Sequence, residues 1–154
     1  MTTSAEPTLA ALEETRRRAH RHCVACGAAH PFGLHLEFVP ARDGSVTAEI
    51  ECRSVFEGYG GRLHGGIVAT LLDAAMTHCL FAQGRTAVTG KLTVCFRHPV
   101  LVDQPVTVRA WVRRSSRPLY LLESELIQAD EIKAKACAKF MEEPALADQV
   151  RPTS

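Results

Sequence analysis

One acidic residue stands alone in the most apolar stretch of the sequence. Between Ile67 and Ala82 the only charged side chain is that of Asp73. The length of this stretch and its Ala, Leu and Met residues predict a helix that is apolar on most sides and therefore buried. An ionised carboxylate without partners is costly in such a place. Asp73 is therefore either a structural residue capped by neighbouring hydroxyl groups or a functional carboxylate, and burial alone does not separate the two.

The residues that open this helix suit the binding of a developing negative charge. Gly65 and Gly66 follow His64 at the predicted start of the helix. Because they lack side chains, a ligand can approach the unpaired N–H groups of the first helical turn, where the helix dipole also favours negative charge. A pair of glycines is also a common turn signal. The pair alone therefore leaves the site unproven.

A second group of chemically capable side chains lies close together further upstream. It holds three imidazoles and two thiols, which are zinc ligands: His20, His22, Cys23, Cys26 and His30. A complete site of the usual spacing needs a second Cys-X-X-Cys or a spaced pair of histidines, and the sequence has neither. We therefore expect no metal and no cofactor. A small metal-binding protein remains an alternative.

Predicted secondary structure must position these groups. Residues 8–21 are expected to form a short helix. Alternating apolar residues predict strands over 34–38 and 46–52, and Asp43-Gly44 between them indicates a hairpin. After the apolar helix, four more strands are predicted, over 88–96, 106–113, 119–127 and 132–140. Short connections favour an antiparallel sheet, and the long helix is the element available to cover its apolar face. The fold class is therefore α+β, with a sheet wrapped around a central helix.

Composition excludes several classes of protein. The chain has 154 residues, the size of one domain, and its 18 basic and 17 acidic residues leave a net charge of +1, which gives no general attraction to nucleic acid. The longest apolar stretch is too short to span a membrane. Six cysteines and no recognisable secretory signal favour the cytoplasm and free thiols.

Charge is concentrated in one part of the chain. Residues 83–118 hold seven basic side chains against Asp103 alone. This segment would suit a small polyanion such as a phosphorylated cofactor, although a solvated strand face is an equally good interpretation. The candidate phosphate ligands within it are Arg97, Arg113, Arg114 and Arg117.

The motif His64-Gly65-Gly66, with Asp73 nine positions after the histidine, resembles the signature of hotdog-fold acyl-CoA thioesterases of the phenylacetate-catabolism and 4-hydroxybenzoyl-CoA types. Other parts of the chain are also similar to this family: Cys23 to Gly27 followed by Pro31, Gly33-Leu34 and Phe38; Tyr59-Gly60; and Ala136-X-Ala138-X-Phe140. The resemblance covers residues 23–141 and implies a hotdog domain over 23–143, preceded by a helical extension (1–22) and followed by a flexible tail (144–154).

The resemblance also implies roles for individual residues. Asp73 would be the general base or the nucleophile that acts on the thioester, and the N–H of Gly65 would polarise its carbonyl group. His64 would hold the loop, and Thr89 would lie near the carboxylate. Gly66 and Gly58 would contact substrate, although Gly58 stands where several relatives carry Asn, and Ala74 where many carry Glu. A non-hydrolytic module that binds acyl-CoA or acyl-carrier protein is therefore the main alternative.

The spacing of two of these residues predicts an oligomer. Gly65 and Asp73 are eight positions apart, which separates them by about 12 Å along a helix axis. One small reacting group cannot touch both within one chain. If both serve one site, Gly65 of one protomer must meet Asp73 of another, so we expect a dimer or a dimer of dimers.

Overall fold

The computed structural model describes residues 6–146, so most of the expected tail, residues 147–154, lies outside the described residues. Two helices and six strands follow one another in this order: α1 (Leu9–Ala19), β1 (Val39–Pro40), β2 (Val46–Glu51), α2 (Gly65–Phe81), β3 (Val88–Phe96), β4 (Pro105–Ser116), β5 (Leu119–Gln128) and β6 (Glu131–Met141). A 3-10 turn over Ser54–Phe56 precedes α2. No helix within residues 6–146 combines the length and the apolarity needed to cross a lipid bilayer.

The six strands form one antiparallel sheet in the order β1-β2-β4-β5-β6-β3. Its concave face packs on α2, which contacts five of the strands. Along α2, Leu72, Ala75 and Met76 are fully buried. Apolar side chains cover most of the circumference of α2, so this helix is stable only where the sheet surrounds it. The predicted α+β architecture with a sheet around a central helix is confirmed.

Helix α1 belongs to the same hydrophobic core. The hydroxyl of Thr8 caps it by accepting a hydrogen bond from the Ala11 N–H at 3.0 Å. Leu12 is only 1% exposed and packs within the core, and the Thr8 N–H donates to the carbonyl of Ala82 at 2.9 Å. The start of α1 is thereby fixed beside the C-terminal end of α2.

The prediction of a strand over residues 34–38 is wrong, because the first strand begins at Val39. Leu36 and Phe38 are buried while His35 and Glu37 are exposed, so the alternation reports burial correctly. However, the segment hydrogen-bonds to the loop before it, through Leu36 N to Ala25 O at 2.9 Å, and His35 has a φ of +50°. Pairing with β2 starts only at Val39, and the predicted hairpin follows it.

Candidate active site

Helix α2 and the edge strand β3 bring Asp73 and Thr89 together. Asp73 is half-buried on α2, and Thr89 is exposed on β3. The Thr89 hydroxyl donates a hydrogen bond to Oδ1 of Asp73 at 2.7 Å. Sixteen residues separate the two in sequence, so this contact depends on the packing of the strand against the helix. The structure thus supplies the hydroxyl neighbour that the resemblance implied for the carboxylate.

The surroundings of Asp73 shift the pKa of its carboxyl group through opposing contributions. Burial raises the pKa of Asp73 above its usual value, and the hydrogen bond from Thr89 opposes this rise. The charge of Cys23 raises the pKa further, whereas that of His20 lowers it. A carboxylate with a raised pKa is a better proton acceptor near neutral pH than an ordinary surface aspartate.

The first turn of α2 leaves one backbone donor free. His64 is the N-cap, and its Nδ1 accepts the Gly66 N–H at 2.8 Å. The carbonyl of His64 accepts the N–H groups of Ile67 and Val68. Among residues 6–146, no group accepts a hydrogen bond from the Gly65 N–H. Gly65 therefore offers the helix-terminal donor, while His64 fixes the turn that presents it.

Gly65 lines a cleft of about 310 Å³ at this end of the helix. Its walls are largely apolar and include Tyr59 and Phe96, which are 86% and 57% exposed. Arg97 lines the same cleft and contributes a cation. Gly58 lies close by, since a Cβ at this position would be 3.3 Å from Cδ2 of His64. A larger residue at position 58 would thus press on the N-cap. The cleft is not lined by Asp73.

The four candidate phosphate ligands are not gathered within one chain. Of these four arginines, only Arg97 lines the cleft that contains Gly65. Arg113 lies on a different part of the sheet, 3.7 Å from Glu123. Arg117 is held by Glu142 through two hydrogen bonds, at 2.9 and 3.1 Å. Arg114, near the end of β4, also lies outside the cleft lining.

The loop after α1 approaches the candidate catalytic carboxylate. The charges of two of its residues, His20 and Cys23, shift the pKa of Asp73, although about fifty residues separate them from it in sequence. The pKa of Cys23 is lowered to about 3, because Cys26 and then His20 hydrogen-bond to its sulfur. Nothing in the linear sequence signals this proximity, and sequence reasoning missed it.

Comparison with known proteins identifies the architecture. The family model of the thioesterase superfamily matches residues 60–135, which span His64, Gly65, Asp73 and Thr89. No curated protein sequence matches the chain.

Solved structures of thioesterase-like proteins share the fold. The thioesterase superfamily protein RHA08564 superposes with a TM-score of 0.74 at 20% identity, over 79% of this chain and 61% of that one. The Escherichia coli PaaI protein, from the phenylacetic acid degradation operon, gives 0.71 at 19% identity over 86% and 96%. A hypothetical thioesterase of Streptococcus pneumoniae TIGR4, whose structure is described with coenzyme A, gives 0.65 at 19% identity over 70% and 87%. These likenesses confirm the hotdog fold.

Proposed function

We propose that this protein hydrolyses an acyl-CoA thioester to a carboxylate and free CoA, because the family model of the thioesterase superfamily matches residues 60–135. The observation that carries the proposal is the Asp73 carboxylate, half-buried on α2 and hydrogen-bonded by Thr89 at 2.7 Å. Water and a proton acceptor are all that the reaction requires, so no cofactor is needed.

Asp73 can serve the reaction in two ways. As a general base it takes a proton from water while the water oxygen bonds to the thioester carbon; the C–S bond then breaks and the CoA sulfur receives the proton. As a nucleophile its carboxylate oxygen bonds to that carbon and displaces CoA, and water then cleaves the resulting anhydride. Both routes need the ionised carboxylate, and its raised pKa supports the first.

The Gly65 N–H is suited to bind the oxygen of the thioester carbonyl. It lies at the positive end of the 17-residue helix α2 and has no acceptor among the described residues. As the carbonyl carbon becomes tetrahedral, its oxygen gains negative charge that such a donor stabilises. The apolar cleft beside Gly65 offers space for part of the substrate.

The site is proposed to combine two chains. Gly65 and Asp73 are about 12 Å apart along α2, and Asp73 does not line the cleft at Gly65. Strand β3 pairs only with β6, so its other edge is unpaired within residues 6–146. An unpaired edge with exposed apolar residues is a natural place for a second chain to bind. Val88 and Phe96 at the ends of this strand are both exposed.

The phosphates of CoA are proposed to contact the basic segment. Arg97 is the strongest candidate because it lines the cleft with Gly65. Arg113 and Arg114 would take part only from the partner chain, and Arg117 would first have to leave Glu142. A thioester carried by an acyl-carrier protein presents the same reacting group and is the alternative substrate.

The proposed location is the cytoplasm. All six cysteines, which lie within the described residues, are free thiols. Free thiols persist in a reducing compartment, and CoA thioesters are soluble substrates there.

A non-hydrolytic acyl-CoA binder on the same fold is the second candidate. It is favoured by Gly58 and Ala74, which stand where several relatives carry Asn and many carry Glu. However, Ala74 is buried, so this position faces the core of the chain and not the cleft. Asp73 is unaffected by either difference and retains its partner Thr89.

The deciding experiment replaces Asp73 by Asn and measures two properties. Release of free thiol from a panel of aromatic and aliphatic acyl-CoAs should fall by about 10²–10⁴-fold, because a general base is lost. The thermal midpoint should hold or rise, because burial makes the ionised carboxylate unfavourable in the folded chain.

Asp103→Asn is the matched control, since Asp103 is an exposed carboxylate in a turn and should leave both properties unchanged. Activity that survives Asp73→Asn within a few-fold, together with a sharp fall in the midpoint, would make Asp73 a structural residue. Binding of acyl-CoA by the parent without any thiol release would favour the non-hydrolytic module.

A further inference from the structure

The turn that follows α1 gathers three metal-ligating side chains. One ring nitrogen of His20 and the sulfur atoms of Cys23 and Cys26 all lie within 4.8 Å of one another. Within residues 6–146, no other group of three such side chains is equally close. The thioester chemistry proposed above uses none of the three.

The separation of these atoms fits a tetrahedral ion. Zinc–sulfur bonds of about 2.3 Å and zinc–nitrogen bonds of about 2.0–2.1 Å place tetrahedral S and N ligands about 3.6 Å apart, and two S ligands about 3.8 Å apart. Nδ1 of His20 is 3.5 Å from Sγ of Cys26. These two atoms are thus at the spacing of two ligands of one ion, and Sγ of Cys23 lies within 4.8 Å of both.

The backbone holds the turn in this shape. The Cys23 N–H donates to the carbonyl of His20 at 3.1 Å, and the Gly27 N–H returns to the carbonyl of Cys23 at 2.8 Å. The Ala25 N–H points at Sγ of Cys23, 3.4 Å away, an arrangement that stabilises a thiolate. Only glycine fits at position 27, because a Cβ there would lie 2.4 Å from the Cys23 nitrogen.

The cluster is buried on one side and accessible to solvent on the other. Cys26 is buried, and the His20 ring packs edge-on against Phe81 with centroids 4.8 Å apart. Arg16 donates to the carbonyl of Cys26 at 3.1 Å and ties the turn to α1. His20 and Cys23 are only partly buried, so an ion can enter from solvent. Sites with three protein ligands complete their tetrahedron with water.

We propose that His20, Cys23 and Cys26 bind one zinc-class divalent cation, with solvent as the fourth ligand. Along the sequence, no second pair of ligands stands at the usual spacing. The fold instead supplies the third ligand from the end of α1, immediately before the Cys-X-X-Cys turn. The ion would join the end of α1 to this turn, beside α2. This inference holds whether or not the protein hydrolyses thioesters.

Metal binding by the full chain tests the proposal. Protein that has been reduced and stripped with a chelator should take up one Zn²⁺ or Co²⁺ per chain, and Co²⁺ should give a thiolate-to-cobalt charge-transfer band. The double variant Cys23→Ser/Cys26→Ser should lose both. Cys95→Ser, which removes an exposed cysteine elsewhere, should keep both. Uptake that persists in the folded double variant, or a reduced parent that binds neither ion, would overturn the site.

Thiol protection gives a second readout that needs no variant. In the parent, Zn²⁺ should slow alkylation of Cys23 strongly, while the exposed Cys95 and Cys137 should react at unchanged rates. Mass spectrometry of the peptides resolves the three positions. Equal alkylation of Cys23 with and without Zn²⁺ would refute the proposal, as would a stable Cys23–Cys26 disulfide that excludes the ion under reducing conditions.

Discussion

Replacing Thr89 by Val should make the proposed reaction more sensitive to acid. The substitution keeps the shape of the side chain and removes the hydroxyl that donates to Oδ1 of Asp73 at 2.7 Å. Burial already raises the pKa of Asp73, and this hydrogen bond is the largest influence that lowers it. Without the donor, the ionised carboxylate loses stabilisation and its pKa must rise further.

The size of the effect follows from the strength of the bond. A hydrogen bond to a charged group contributes about 1.5–3 kcal/mol, and about 1.4 kcal/mol corresponds to one pKa unit. Thr89 is exposed, so water replaces part of the lost interaction. We therefore expect an effect of about 1.4 kcal/mol, near the weak end of this range. The rate then falls about tenfold on the acid side and changes little where Asp73 is ionised in both proteins.

The assay is the pH profile of kcat/KM on the best acyl-CoA, followed by release of free thiol. Thr89→Ser retains a hydroxyl and should keep the acid limb of the parent. Thr93→Val, a change at an exposed threonine on the same strand, should also leave the limb in place. If the acid limb of Thr89→Val coincides with that of the parent, Asp73 is not the group whose ionisation controls the rate.

Three further predictions concern residues of α2. Gly65→Pro removes the free N–H at a position where proline fits a helix start, so activity should fall about 10²–10³-fold, whereas Gly65→Ala should retain most of it. Co-refolding Gly65→Pro with Asp73→Asn should restore about a quarter of parent activity if sites combine two chains of a symmetric dimer, and none if each site lies in one chain. Burial lowers the pKa of His78 to about 4. As the pH falls below 6.5, the unfolded chain therefore takes up a proton at this residue before the folded chain does. The free energy of unfolding should drop by about 3 kcal/mol between pH 6.5 and pH 4. Denaturant unfolding with a chelator present should show this slope in the parent and a flatter one in His78→Gln.

Much of the fold was predictable because the signals were local and long. The apolar run around Asp73 exceeds the length of a strand, and it forms α2 as predicted. The strands after it are 9 to 12 residues long, which made them recognisable. The segment 34–38 has the same alternation but no strand to pair with, since its neighbour is the loop that contains Ala25. Alternation reports which side chains are buried, and pairing depends on the rest of the chain.

The candidate site was predictable in part. The motif from His64 to Asp73 lies on one helix, so its spacing could be converted into distance from sequence alone. The cap formed by the His64 ring and the Asp73–Thr89 contact required the structure, because side-chain rotamers and strand packing decide them. The basic segment was a weaker guide: Arg97 lies at the cleft, but Arg117 is neutralised by Glu142, which lies outside that segment.

The hydrogen bond between Asp73 and Thr89 joins a helix in the core to the outermost strand of the sheet. Strand β3 is held on one side only, by β6. A molecule that binds along the open edge of β3 restricts the motion of the Thr89 backbone. Because the Thr89 hydroxyl donates to Asp73, this binding also changes the proton affinity of Asp73. By thermodynamic reciprocity, the protonation of Asp73 must then alter the affinity of whatever binds at that edge. Chain association and pH optimum become linked quantities, so dilution of the protein and acidification of its solution would act on the same equilibrium.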